Sequence, residues 1–405
     1  MARFDFKVKV RMKHNQKSQI TMLMIVGIVL FILVSLVLYL SKSAVKKQSQ
    51  QSIKKVQETA IETRPIKEFM QKCLDKLAKD AIVLLGKQGG YIYSSQGGTL
   101  IDYAETDEGL FFVKYNNLNV VYNIMPPKFA APPYSSDIPD YPWTTFPYKT
   151  PIQDEEIFEG FFGINNIPPL NYSDGPNSIQ AQIETFIDNN IDSCANFDIF
   201  RKQGLDIVMK PAETSVIIGS NYVSVKSKIP MTITNSATNE YAEFEYFSTN
   251  VNIRLGDVYF LIKELIENDV KNIKFDIGNI NNSKDFINVK LIENIFFNDD
   301  LIIITDEKSL ISGNPYEYIF ARRNRAPALY YIKKTILEFP QGFEIKQEDL
   351  LQGTKLKAED PDEDNYTFTI KPEVPKVLGV PQINFKIEVS DGKLSDHQVI
   401  TVNRI

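Results

Sequence analysis

Histidine is almost absent from this chain. Only His14 and His397 occur among its 405 residues, one in a basic N-terminal stub and one near the C-terminus. The central stretch has none. That excludes a Ser-His or Cys-His nucleophile system there, and any histidine-based zinc site. Nucleotide signatures are missing too. No G-x-G-x-x-G occurs, and no Lys-Ser/Thr follows the glycine pairs Gly89-Gly90 and Gly97-Gly98 in the place a phosphate-binding loop requires. Each pair instead reads as a turn with left-handed positions leading into a short strand. A basic excess is lacking: 45 Lys and Arg face 51 Asp and Glu, for a formal charge of −6. The first 18 residues hold six basic side chains against Asp5, a net of +5, which leaves −11 for the remainder. An acidic bulk is a poor partner for nucleic acid, whose phosphates need Lys and Arg. An acid pair drawn from Asp154, Glu155 and Glu156 is the one formal route to hydrolysis. Short acidic loops are ordinarily just solvated, so the chain reads as a non-enzyme, with an envelope hydrolase as the distant alternative.

What is present begins with an apolar run. Ile20 to Leu40 is an uncharged stretch of 21 residues, interrupted only by Thr21, Gly27 and Ser35. At about 1.5 Å per residue it matches a hydrocarbon core of about 30 Å. It is too long for a secretory signal peptide and reads as an uncleaved anchor in the lipid bilayer. Basic residues precede it, the usual cytoplasmic flank. Lys42, Lys46, Lys47, Lys54 and Lys55 follow it, so charge alone barely decides the orientation. Residues 41–63 read as a helical stalk.

Two cysteines, Cys73 and Cys194, both follow this run and fall on apolar sides of helical segments. A disulfide between them would require an oxidising compartment and place the domain outside the cell. Two buried thiols are the alternative.

From Pro65 the spacing of Ile66, Phe69, Met70, Cys73, Leu74, Leu77, Ala78, Ala81, Ile82 and Leu85 predicts an amphipathic helix ending near Gly86. Residues 125–151 carry eight prolines interleaved with aromatics, which excludes a helix or central strand. Tyr141, Trp143 (the only Trp), Phe146 and Tyr148 are a candidate aromatic recognition strip; a loop pinned by its rings is the plainer reading. Residues 178–203 predict a second amphipathic helix, capped by Asn177 or Ser178. The period then changes to two from Leu205 to Ile253, returns to helical spacing from Leu255 to Val270, and becomes strand-like again from Phe286 to Ala321. Helices and strands mix without a βαβ rhythm, so residues 64–322 are expected to be an α+β ectodomain. Tripeptides at Asn171, Asn282 and Asn365 are read as N-glycosylation sequons.

Beyond residue 322, short alternating strands with turns predict a β-sandwich over 323–405. Three motifs stand there in order: Asn324-Arg325-Ala326-Pro327, Ala358-Glu359-Asp360-Pro361-Asp362-Glu363-Asp364, and Val389-Ser390-Asp391-Gly392. Together they resemble the cadherin-like and PKD-like Ig-fold modules of prokaryotic surface proteins. The resemblance implies an Ig-like fold acting as spacer or adhesion unit, with calcium bound in some members. Carried across by position, Asp360, Asp362, Asp364 and Asp391 are its calcium candidates, although Glu363 replaces the usual glycine. Clustered turn carboxylates suit a hard cation, or else cap the turns by Asx hydrogen bonds. At the other end, Lys17-Ser18-Gln19-Ile20-Thr21 is similar to the class III, pilin-type signal of archaeal surface proteins, with Ser18 where pilins have Gly or Ala and Met24 near their acidic position. Residues 64–322 look like membrane-anchored surface proteins of archaea.

The expected arrangement is therefore a basic cytoplasmic stub (1–19), a transmembrane helix (20–40), a stalk (41–63), a disulfide-stapled α+β ectodomain (64–322) and an Ig-like β-sandwich (323–405). The expected role is attachment, scaffolding or surface assembly through non-covalent binding to other surface proteins or glycans, with homo-oligomers allowed. A pilin-like filament subunit processed before Gln19 is the runner-up.

Overall fold

The computed structural model describes residues 62–94, 96, 98–100, 112–126, 162–174, 177–329, 332, 336–342, 344, 346, 348–350, 356–372 and 380–405. The apolar run, almost all of the stalk, the aromatic strip and Asp154 to Glu156 lie outside them. Among the described residues no helix is long and apolar enough to cross a membrane. Every described residue belongs to one compact unit, Ile61–Ile405. It is mixed α+β and rich in strands.

Helix α1 (Arg64–Lys87) carries Pro65 in its first turn, where a missing N–H costs nothing, and buries the apolar stripe that its spacing predicts. Helix α2 (Ile179–Cys194) starts at Ser178, whose hydroxyl accepts from the Ala181 N–H at 3.2 Å. It is shorter than its periodicity suggests. The chain breaks after Cys194, and a separate turn α3 (Asp198–Arg201) follows, started by the Asn196 carboxamide accepting from Asp198 N–H at 2.9 Å. That local side-chain bond competes with helix continuation. Cys73 and Cys194 are joined as a disulfide, with Cα atoms 5.9 Å apart.

Strands β1 (Phe112–Tyr115), β2 (Leu118–Met125) and β3 (Ile164–Asn165) belong to the sheet described below. Strands β4 (Leu205–Met209), β5 (Glu213–Ile218), β6 (Val223–Asn235) and β7 (Tyr241–Val251) form a separate antiparallel sheet. The long β6 pairs with β5 through Val223 to Lys228 and with β4 through Met231 to Asn235, while β7 runs along its other edge. The alternation in β6 places Val223, Val225, Ile229, Met231 and Ile233 in the core. Helix α4 (Leu255–Asp269) follows.

Strands β8 (Ile287–Phe296), β9 (Asp299–Ile311) and β10 (Asn314–Arg322) complete a sheet of order β1-β2-β10-β9-β8, with β3 beside β2. Its pairs are antiparallel except β2 with β10. One apolar core joins α1, α2, α4 and both sheets. Of the glycine pairs, Gly89 and Gly90 take positive φ as expected, but residues 91–93 form no strand. A side chain at Gly90 would strike the Tyr318 hydroxyl and Pro168, so the turn packs straight into the sheet.

The C-terminal residues carry their own core around Leu329, Leu337, Phe385, Ile387, Val389, Ile400 and Val402. Strands β12 (Ile336–Phe339), β14 (Thr367–Lys371), β15 (Gln382–Ser390) and β16 (Ser395–Arg404) form a sheet of order β12-β16-β15-β14. Strands β11 (Ala328–Leu329) and β13 (Ala358–Glu359) pair separately.

Candidate cation site at the junction

The three C-terminal motifs converge where β10 hands over to this last module. The segment Arg323 to Pro327 leaves β10, the acidic turn follows β13, and the Ser390-Asp391-Gly392 turn joins β15 to β16. Carboxylate oxygens of Asp360, Asp364 and Asp391 all lie within 4.8 Å of one another. Two oxygens on opposite sides of a calcium ion, each at about 2.4 Å, are separated by about the same distance.

The hydrogen bonds show which oxygens the turns consume. Asp360 Oδ1 accepts from the N–H groups of Asp362 at 2.8 Å and Asp364 at 3.2 Å. Asp391 Oδ1 accepts from Lys393 N–H at 2.6 Å and Leu394 N–H at 2.7 Å. These are the Asx bonds expected of turn aspartates. They leave other oxygens over. Asp360 Oδ2 and Asp364 Oδ2 are buried without a hydrogen-bond partner, and so is Asn324 Oδ1. Asn324, only 5% exposed, reaches the cluster by donating its Nδ2 to Asp391 Oδ2 at 2.8 Å. The Asn298 side chain acts on Asp364, holding its carboxyl lower than burial alone would. Buried acceptors with no donor are costly. Asp360 and Asp364 belong to the carboxylate cluster and Asn324 touches it through Asp391; the acceptors are all oxygen and suit calcium rather than zinc or copper.

Asp362 does not join them, which corrects the expectation from sequence. Its carboxylate is taken up by two arginines. Its carboxylate accepts from the Arg325 backbone N–H at 2.6 Å, from Arg325 Nη2 at 2.7 Å and from Arg325 Nε at 3.0 Å, and lies 3.1 Å from Arg322 Nε. Arg325 also approaches Asp269 Oδ1 at 2.8 Å and donates to the carbonyl of Pro361 at 2.9 Å. Arg322 bridges Asp269 at 2.9 Å and Asp300 at 2.6 Å. The guanidinium of Arg325 is fully buried. Two arginines and three aspartates thus tie α4, β9 and β10 to the acidic turn. The physical reason for the departure is charge: a buried carboxylate whose oxygens are taken by two arginines has none left for a cation.

Sequence reasoning missed Arg322, Arg325, Asn324 and Asn298 as parts of this junction. The Asn324-Arg325-Ala326-Pro327 motif marked a boundary in the sequence, but nothing in its periodicity indicated an arginine with no exposure. The sequons need one correction as well. In the tripeptide Asn281-Asn282-Ser283 the acceptor is Asn281, which is exposed. The Asn282 amide is engaged, donating to the carbonyls of Asp276 at 2.9 Å and Ile277 at 3.0 Å. Asn171 and Asn365 are exposed.

Burial, followed by the charge of Asp362, pushes the Asp360 carboxyl up to about 7 and that of Asp364 up to about 6. Without a cation, both groups retain protons in the fold at pH values where the unfolded chain has lost them. Their stabilising contribution is therefore complete below the ordinary aspartate value near 4 and is lost as pH rises through about 6 to about 7. Calcium reverses the sign, because it requires both carboxylates ionised. In chelator, the chain is expected to melt at a lower temperature at pH 7.5 than at pH 5.5. An Asp360→Asn, Asp364→Asn double variant should flatten that difference. A variant with the same pH slope as the parent would contradict the assignment. No protein-family model matches the chain, and no curated protein matches it.

Proposed function

We propose that this chain is a single-pass membrane protein that displays an α+β body and a terminal Ig-like β-sandwich outside the cell, for attachment, scaffolding or surface assembly by non-covalent binding. The proposed anchor is Ile20 to Leu40, with the basic stub in the cytoplasm. The observation that carries this reading is the Cys73–Cys194 disulfide, which joins α1 to the end of α2. Such a bond persists in oxidising compartments, and both cysteines follow the apolar run. The four-stranded C-terminal sheet and the ordered convergence of the three motifs support the Ig-like assignment. The reading is tested by labelling intact cells with a membrane-impermeant amine reagent, followed by non-reducing gels. Labelled, disulfide-bonded, membrane-fractionating protein is expected; unlabelled protein with free thiols would overturn it. Lys17-Ser18-Gln19 favours a second reading, a processed filament subunit, and an intact mass beginning at Gln19 would select it.

The proposed cofactor is one calcium ion held by Asp360, Asp364, Asp391 and the Asn324 amide oxygen. Asn324 arrives on the segment leaving β10 and the carboxylates belong to the module, so an ion there would pin the two together. Asp364→Asn is expected to weaken calcium binding at least ~10-fold, since it removes a charged ligand but keeps the side-chain shape. Asp362→Asn should instead destabilise the fold with little change in affinity per folded molecule. Calorimetric titration of both variants checks this; equal losses of affinity would contradict the division of roles.

A further inference from the structure

The acidic site has a neighbour that the turn chemistry does not explain. The end of β8 and the turn into β9 carry Phe296 and Phe297, rings 55% and 62% exposed, paired edge-to-face with centroids 4.3 Å apart. Phe297 and Asn298 both have positive φ, at 51° and 68°. That conformation disfavours a bulky residue by about 1–2 kcal/mol. Asn298, next in the same turn, acts on the Asp364 carboxyl. From the other side, Lys393 donates its backbone N–H to Asp391 and places its ammonium 5.1 Å from the Phe297 ring centroid. Two exposed rings are therefore held at the rim of the carboxylate cluster by both the body and the module.

We infer that this rim is a binding site for a neutral carbohydrate, whose adjacent hydroxyls complete the coordination of the bound cation while its C–H face packs on Phe296 and Phe297. The inference rests on the calcium reading above. Asp360, Asp364, Asp391 and Asn324 supply about four oxygens, and calcium takes 6–8. Asp364 and Asp391 are partly exposed residues, which places the cluster at the edge of the fold, with Asp364 Oδ2 itself covered. Charge decides among oxygen-bearing partners. Three carboxylates outweigh a divalent cation, and Glu363, next to Asp364 in the chain, feels Asp276 and Glu293 against Arg322. Lys393 balances only one of these charges. A phosphate headgroup or an acidic peptide would enter a negative field. Size argues against a folded protein partner: two rings and the nearby Leu394 fall short of the ~800 Å² per partner of a stable interface. A sugar offers uncharged hydroxyl oxygens for a hard cation and an apolar face for an aromatic ring, at the scale of this patch.

The test uses the detergent-solubilised full chain. Calcium binding is measured by calorimetry, and retention on immobilised mannan, galactan and dextran is measured in calcium and in EGTA. Retention on at least one polysaccharide is expected, released by EGTA and reduced at least ~10-fold by Phe296→Ser, Phe297→Ser while calcium affinity stays unchanged. Calcium binding with no retention on any of the three overturns the carbohydrate inference and leaves the cation site standing. Retention indifferent to EGTA, or to the two phenylalanines, also overturns it. Absence of calcium binding removes both readings together.

Discussion

Replacing Arg325 by leucine is expected to cost the fold ~3–5 kcal/mol, the range for removing one partner of a buried ion pair. The guanidinium has no exposure, and its loss leaves Arg322 as the one cation facing the buried carboxylates of Asp362, Asp269 and Asp300. It also leaves the Pro361 carbonyl without its donor. Three buried carboxylates sharing one arginine keep a desolvation penalty that is only partly offset, and the Pro361 carbonyl keeps all of its own. Urea denaturation of the full chain reads the change as a lower midpoint. A second variant separates the arginine's charge from its packing. Arg325→Leu with Asp362→Leu removes both sides of the pair and should recover part of the loss, because two apolar groups impose no unpaired charge. A loss under ~1 kcal/mol for the single variant would show that the junction does not depend on this pair.

Removing the disulfide is expected to be comparably severe. The two half-cystines are 121 residues apart in sequence. In the chain-entropy model a crosslink of that span stabilises by roughly 5 kcal/mol. Cys73 is buried, and the α3 region beside it is packed by the edge-to-face contacts of Phe69 with Phe197 and Phe200. Those contacts sit at the end of α2, where the helix breaks after Cys194, so the crosslink holds a segment that has little regular structure of its own. A Cys73→Ala, Cys194→Ala variant should melt roughly 10 °C lower than the parent. The parent in reductant should fall with it once the bond is open. A shift of no more than ~2 °C would mean that the helical core, not the crosslink, fixes α2 against α1.

Much of the fold was legible in the spacing of apolar residues. Helix α1 ends within two residues of where its stripe ends, because an amphipathic face buried on one side leaves a regular signature. The alternation in β6 and the turns at Ser312-Gly313 read equally directly. Helix α2 was overextended because its apolar spacing continues past Cys194 through Phe197 and Phe200, while the break is made by a single carboxamide at Asn196. The site was half legible. The motif order brought out four aspartates, and the structure gathers three of them. Asp362 looks identical to its neighbours in the sequence, and only the three-dimensional position of Arg322 and Arg325 separates it. Asn324 was hidden for the converse reason: its significance lies in an unpaired oxygen beside a residue 67 positions away. No local pattern encodes that.

The junction of β10 with the C-terminal module is expected to hold one cation. The most direct measurement is calcium titration of the full chain, followed by calorimetry and by melting temperature, with the Asp364→Asn variant alongside. One calcium per chain is predicted, with stabilisation that grows with free calcium and reaches ~2.7 kcal/mol at a hundred times the dissociation constant. The variant should lose both the binding heat and the stabilisation. A parent chain that takes up no calcium at millimolar concentration, or a variant that binds it as tightly as the parent, would contradict the assignment.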